Sequence, residues 1–242
     1  MKIALISDIH ANAIAFQAVL KDLTSQSVDL TVFLGDLSSR GIYPRESLGM
    51  LMNIHPLIAI KGNADGKFDE FDDKGNEIKK DNRDEIHRWV ENRLTKSDVA
   101  TIKSFKPQEC ISDRGIAIGL FHGSPESYGD RIYEDDPPDE ILAKFQKTKL
   151  HIAAIGHTHV RMRKILPALE LINPGAIGIS NDGELRAGYG IRTVDKSVGY
   201  QQRNIEYPVK RYASEVEKSD IPYKDLLATQ IRTGEPNKTL FR

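Results

Sequence analysis

The stretch Lys2-Ile3-Ala4-Leu5-Ile6-Ser7-Asp8-Ile9-His10-Ala11-Asn12 decides how the fold is read. Its first half is an unbroken apolar run, the pattern of a strand buried on both faces. The run stops at Asp8. Alternation through Asp8-Ile9-His10 turns a carboxylate and an imidazole toward one point at the strand's end. Asn12 stands as an N-cap ahead of Ile14, Phe16, Val19, Leu20 and Leu23, which fall near helical spacing and predict a helix to Leu23. A buried strand feeding an amphipathic helix opens a βαβ unit, and such units place functional residues at the carboxyl ends of strands.

The same rhythm continues. Leu30 to Leu34 is a predicted strand ending at Gly35-Asp36. Arg45 to Asn53 is a helix after Pro44, and Leu57 to Ile60 a strand ending at Lys61-Gly62-Asn63. Asn82 to Leu94, with the stripe Ile86, Trp89, Val90, Leu94, and Ser97 to Phe105 read as helices. Trp89 reads as a core anchor and His87 as a surface or packing residue. Ile116 to Phe121 predicts a strand ending at His122-Gly123, Pro138 to Lys147 a helix, and His151 to Ile155 a strand ending at Gly156-His157-Thr158-His159. Val160 to Leu166, Leu169 to Ile172, Gly188 to Val194 and Val198 to Glu206 then read as consecutive strands, a meander that suggests a second sheet. The tail from about residue 209 is helical to Ile231, interrupted at Pro222. The charged stretch Gly66 to Asp81 breaks the rhythm and reads as a solvated excursion, with a lid near the site as the sharper alternative. No repeat or Pro/Ser-rich linker divides the chain. The expectation is one α/β domain over residues 1–242 built on two sheets.

Composition narrows the function. A formal net charge of −1 gives no global attraction to nucleic acid or anionic membrane. No basic stripe with interleaved aromatics marks a nuclease. No segment approaches the ~20 apolar residues of a spanning helix, and MKIALIS is too short for a signal-peptide core. A single cysteine, Cys110, fits a reducing compartment and reads as a small semi-buried apolar residue. A cytoplasmic protein is expected.

Four of the seven histidines sit in the strand-end clusters: His10, His122, His157 and His159. Asp8, Asp36 and Asn63 occupy the other ends. Each cluster alone is a weak signal. Five in this order, each after an apolar strand, are what a protein needs to hold hard or borderline metal ions. Asp36 has two oxygens and can bridge two ions; Asn63 supplies a neutral carbonyl oxygen.

The order Asp-x-His, Gly-Asp, Gly-Asn-x-Asp, His-Gly, Gly-His-x-His resembles the calcineurin-like metallophosphoesterases. Asp8-Ile9-His10-Ala11-Asn12 is similar to that family's DIHGN. His122-Gly123-Ser124-Pro125 and Asn173-Pro174-Gly175-Ala176 are similar to HGSP and NPGS. With Gly35 to Pro44 and Asp220-Ile221-Pro222, the likeness extends to the small stand-alone bacterial and archaeal branch and covers nearly the whole chain. It implies a four-layer α/β/β/α sandwich of two mixed sheets flanked by helices. It implies two divalent transition-metal ions (Mn, Fe, Zn or Ni), one held by Asp8, His10 and His159, the other by Asn63, His122 and His157, with Asp36 between them. Asp36, Asn63 and His122 would then carry the catalytic role. Two ions ~3.5–4 Å apart lower the pKa of a shared water toward ~7, and the resulting hydroxide would attack phosphorus without a protein nucleophile. On that basis Ser124 and Ser38-Ser39 read as structural.

Departures from the family pattern qualify the substrate. Many relatives follow the Asn ligand with a histidine that serves the leaving group; here that residue is Ala64, which favours a phosphodiesterase over a phosphomonoesterase or nucleotide phosphatase. A non-catalytic metal-binding scaffold of the same fold is the remaining alternative. Arg40 matches an arginine that grips substrate phosphate in the protein-phosphatase branch, and a guanidinium fork suits that task; a surface arginine is the competing assignment. Asn12 divides between helix cap and phosphate contact, and Asp65 between turn former and ligand orienter. The expected partner is a small phosphoester, with a nucleotide as one class. Assembly into a homo-oligomer stays open.

Overall fold

The computed structural model describes residues 1–70, 82–194 and 199–237. Two five-stranded mixed sheets form its centre. In the first, β1 (Lys2–Ile6) runs parallel to β2 (Leu30–Phe33), and β2 parallel to β3 (Leu57–Ala59). The second contains β4 (Glu109–Asp113), β5 (Ile116–Leu120), β6 (Ile152–Ala154), β7 (Met162–Ile165) and β8 (Glu170–Asn173), in the order β4-β5-β6-β8-β7. Strands β9 (Ala187–Thr193) and β10 (Gly199–Ile205) pair antiparallel and return to the first sheet, where β9 lies antiparallel to β1. The expected meander is therefore corrected: β7 and β8 stay in the second sheet, and β9 and β10 extend the first. Alternation in a sequence fixes that a segment is a strand, but not which edge it joins.

The layers follow from the period of two along β1. Ile3 and Leu5 face the second sheet and pack with Val32, Leu34, Ile118, Leu120 and Ile172. Ala4 and Ile6 face the other way, against helices α1 (Ala13–Leu23) and α2 (Pro44–Met52), where Phe16, Val19 and Leu51 are fully buried. The second sheet's outer face carries Phe121, Ala153 and Leu171 against Ile141 and Phe145 of α6 (Pro138–Phe145). This is the α/β/β/α sandwich that the resemblance implies. Burying a Phe or Leu of these layers contributes roughly 1.5–3 kcal/mol.

Local signals set the helix ends. Asn12 caps α1 by accepting from the Ala15 amide at 3.0 Å. Pro44 begins α2, where its missing N–H costs nothing. Thr95 and Asp98 form a reciprocal capping box on α5 (Lys96–Lys103). Helix α3 (Asn63–Glu70) falls where the sequence predicts a solvated excursion. Tertiary contacts hold it: Asp36 Oδ1 accepts from the Ala64 amide at 2.7 Å, and Phe68 is buried in the core. The rest of that excursion, 71–81, and with it the expected lid, lies outside the described residues. Helix α4 (Asn82–Glu91) follows. Its Trp89 is half-buried rather than a full core anchor, with Nε1 donating to Asp220 at 3.1 Å. The tail forms α7 (Val209–Lys218) and α8 (Lys224–Thr233), broken around Pro222 as expected.

Cys110 is exposed on β4, not semi-buried. It sits on an edge strand of the second sheet, where one face meets solvent. Among the described residues no helix is long and apolar enough to cross a membrane.

Candidate metal centre

All seven strand-end residues converge where the carboxyl ends of β1, β2, β3, β5 and β6 meet. Five of them have left-handed backbone: Asp8 (φ 53), His10 (φ 46), Asp36 (φ 61), His157 (φ 68) and His159 (φ 60). That region is sterically costly for side-chain-bearing residues, and its occurrence at five neighbouring positions marks a place where geometry outranks local comfort. The turns bring the donor atoms of Asp8, His10 and His159, and of Asp8, Asp36 and His122, within 4.8 Å of one another in each group. Asn63 Oδ1 lies 3.0 Å from His122 Nε2, and the His157 ring centroid 5.1 Å from that of His122.

Backbone carbonyls orient three of the rings. His10 Nδ1 faces Ser38 O at 3.3 Å, His122 Nδ1 faces Leu34 O at 2.7 Å, and His159 Nδ1 faces Ile179 O at 2.5 Å. A carbonyl only accepts, so each Nδ1 carries a proton, and in the neutral ring each Nε2 presents its lone pair inward. The consequence is crowding of acceptors: His10 Nε2 and His159 Nε2 are 3.0 Å apart, and Asp8 Oδ1 lies 3.2 Å from His159 Nε2. Asp8 Oδ1 is also buried without a hydrogen-bond partner. Lone pairs and a carboxylate oxygen at such separations need positive charge between them. This donor set, O and imidazole N, fits divalent first-row metal ions.

The electrostatics agree. Burial works against the Asp8 carboxylate, but His159 beside it holds its pKa well below the usual range. Asp36 is likewise lowered: burial opposes ionisation, and His122 overcomes it. Burial and then His159 push His10 down to about 3, and burial and then His122 push His157 down to about 4. His122 goes the other way. Burial disfavours its charge, yet Asp36 at 3.5 Å raises it to about 9. The Asp36 side of the cluster thus also calls for positive charge.

A surrounding layer fixes these groups. Asp65 accepts from the amides of Asp36 (2.8 Å), Leu37 (3.0 Å) and Gly62 (3.0 Å). It therefore ties the second and third strand ends together, which answers the alternatives for that residue in favour of orientation. Burial and then the Asp36 charge raise its pKa to about 7. Ser7 Oγ donates to Asp8 Oδ2 at 2.6 Å, and the His157 amide to the same oxygen at 3.1 Å. Asn173 Nδ2 donates to Gly156 O at 2.7 Å and Thr158 Oγ1 at 3.0 Å, holding the His157–His159 turn. Sequence reasoning missed the roles of Ser7 and Asn173. Gly62 is obligatory for packing: a Cβ there would stand 2.2 Å from Asp36 Oδ1.

One side of the cluster opens into a cleft of about 580 Å³ lined by Asn63, His157, Arg40, His87 and Tyr128, with Ala64 in its wall. Arg40 is half-buried with left-handed backbone (φ 62) and points its charge toward this region, close enough to depress His10. His87 is a packing residue, as expected, its ring tilted against Phe68 with centroids 4.4 Å apart, and it also lines the cleft. Burial pushes it down to about 3. Asn12 is fully buried. Its Oδ1 caps α1 and its Nδ2 donates to Gly178 O at 2.8 Å. The cap role has the geometry, with both ends of the carboxamide hydrogen-bonded inside the fold. Ser124 donates to Asp130 at 2.5 Å and accepts from the Glu126 amide, a loop-forming role.

The calcineurin-like phosphoesterase superfamily domain matches residues 1–197. A metallophosphoesterase from Sphaerobacter thermophilus has a similar crystal structure, at 25% identity and TM-score 0.77, covering 97% of this chain and 99% of that one. A hypothetical protein from Pyrococcus horikoshii OT3 shares the fold at 16% identity and TM-score 0.86, over 98% of this chain and 99% of that one. An uncharacterized protein of Methanocaldococcus jannaschii is 24% identical over 242 residues, 91% of this chain and 93% of the relative.

Proposed function

Because the chain belongs to the calcineurin-like phosphoesterase superfamily, we propose that it hydrolyses small phosphoesters at a centre for two divalent transition-metal ions. Asp8, His10 and His159 would hold one and Asn63, His122 and His157 the other, with Asp36 in reach of both groups. The observation that carries this reading is the acceptor crowding: two Nε2 atoms at 3.0 Å whose rings are committed to carbonyls through Nδ1, beside a buried Asp8 oxygen without a partner. Bound there, such ions supply Lewis-acid charge for the phosphate oxygens and acidify water.

The chain's own groups do the rest. Carbonyls of Leu34, Ser38 and Ile179 hold the imidazoles in the ligating tautomer. Arg40 at the cleft presents a fork of donors to a non-scissile phosphate oxygen. Ala64 in the cleft wall contributes no proton, so the chain lacks a donor for a strongly basic leaving group at that point. This favours diesters and activated leaving groups over simple monoesters, with manganese as the first ion to try.

The test is turnover of bis(p-nitrophenyl) phosphate against p-nitrophenyl phosphate by the Mn²⁺-loaded protein. Diester turnover that exceeds monoester turnover, and that Asp36→Asn abolishes, is expected. No turnover of either, or turnover indifferent to Asp36→Asn, ends the proposal.

A further inference from the structure

The segment 176–183 crosses the candidate centre like a strap. The Ile177 amide donates to Ser7 O at 3.0 Å and the Gly178 amide to Asp8 O at 2.9 Å. Ile179 O receives the His159 Nδ1 proton at 2.5 Å. Asn181 Nδ2 then donates to Thr158 O at 3.0 Å, and its backbone amide reaches His159 O at 3.4 Å. One short segment therefore grips both Asp8 and His159. Among the described residues its hydrogen bonds within the cluster go to Asp8 and His159 and not to Asn63 or His122.

The strap is held from behind by the last two helices. Ile179 packs with Tyr212, Val216, Leu227 and Ile231 of α7 and α8. Gln230 of α8 is fully buried, and its Nε2 donates to Asn181 Oδ1 at 2.9 Å. Gly234 O, at the end of α8, accepts from the Gly183 amide at 2.9 Å. These helices lie beyond the 1–197 span of the family match. A buried glutamine that spends its donor on the loop holding a ligand is an expensive way to fill a helix interface, since an apolar side chain would do so without desolvating an amide.

We propose that α7 and α8 position the Asp8-His10-His159 half of the centre through this strap, with Gln230 and Asn181 as positioning residues. The inference rests on the two-ion reading above. Groups that orient a ligand in this way change metal affinity by about 10–100-fold.

Mn²⁺ titration of the full chain by calorimetry tests it, on wild type, Gln230→Ala, Asn181→Ala and Leu227→Ala. Both amide variants are expected to weaken one of two binding steps by about tenfold or more and leave the other within about twofold. In the metal-free protein, ¹⁵N-detected histidine spectra should show the His159 Nδ1–H signal altered and that of His122 unchanged. Leu227→Ala loosens the packing behind Ile179 without touching the amide link; it should lower the melting temperature and weaken the same step by clearly less than either amide variant, because Ile179 keeps its other apolar neighbours. If Asn181→Ala does not fold, Gln230→Ala cuts the same link one residue further out. Equal binding by wild type and the amide variants overturns the strap alone, as does a selective weakening in Leu227→Ala as large as theirs. A wild type that binds no Mn²⁺ overturns the two-ion reading, and the strap's role falls with it.

Discussion

The two halves of the cluster are built differently. Asp8, His10 and His159 are sealed, at 0%, 0% and 2% exposure, and Asp8 and His159 carry hydrogen bonds to the strap. Asn63 and His157 line the cleft, and only His122 of that half is fully buried. The sealed half can hold an ion but has little access to anything larger than water. The open half is where a phosphoester can arrive. Asp36 belongs to both, 3.7 Å from His10 Nε2 and 3.5 Å from His122 Nε2. On the proposed two-ion reading, a site divided in this way separates retention of metal from contact with substrate, although both rely on the same residue types.

Four experiments would break or sharpen that division. The largest effect is expected from removing the metal: dialysis against a chelator should abolish phosphodiester turnover, and Mn²⁺ should restore it. Activity that survives exhaustive chelation would remove the basis for either half. Asp36→Asn, which touches both halves, should lower kcat by at least about 10²–10³-fold while far-UV circular dichroism stays native. Asp65→Ala leaves three buried amides without their acceptor, at about 1–3 kcal/mol for an unmet group. A melting temperature lowered by several degrees, with metal affinity weaker by about 10–100-fold, is the expected result; an unchanged melting curve would show that the Asp36 and Gly62 amides find other partners. The smallest effect belongs to Arg40→Lys, which keeps charge and loses the fork. KM should rise by about tenfold with metal content unchanged. A fall in bound metal instead would place Arg40 in retention and blur the boundary between the halves.

Much of this was legible from residues in order. The apolar run before Asp8 and the repeats before Asp36, Asn63, His122 and His157 each state where a buried strand stops, and every one stops there in the structure. The ligand types could be read at those stops because metal chemistry restricts them to a few side chains. Other features are not written in local pattern. Helix α3 is charged and poor in apolar periodicity, and it forms because Asp36 meets its first turn and Phe68 plugs the core. The sheet that β9 joins depends on β1 offering a free edge, a fact about the assembled molecule. The strap is harder still: Asn181 and Gln230 are ordinary polar residues until the fold sets them 2.9 Å apart.

The left-handed backbone at Asp8, His10, Asp36, His157 and His159 has a consequence for anyone who evolves this protein in the laboratory. Each such position costs on the order of 1 kcal/mol or more, which glycine would relieve. A library screened for heat resistance alone should therefore enrich glycine at His157, the one of the five whose side chain is not fully buried and whose loss leaves no core cavity, and the clones that carry it should be the ones that no longer turn over phosphoester. Selection has to be applied to turnover and heat resistance together, because at these positions the backbone and the ligand pull the sequence in opposite directions.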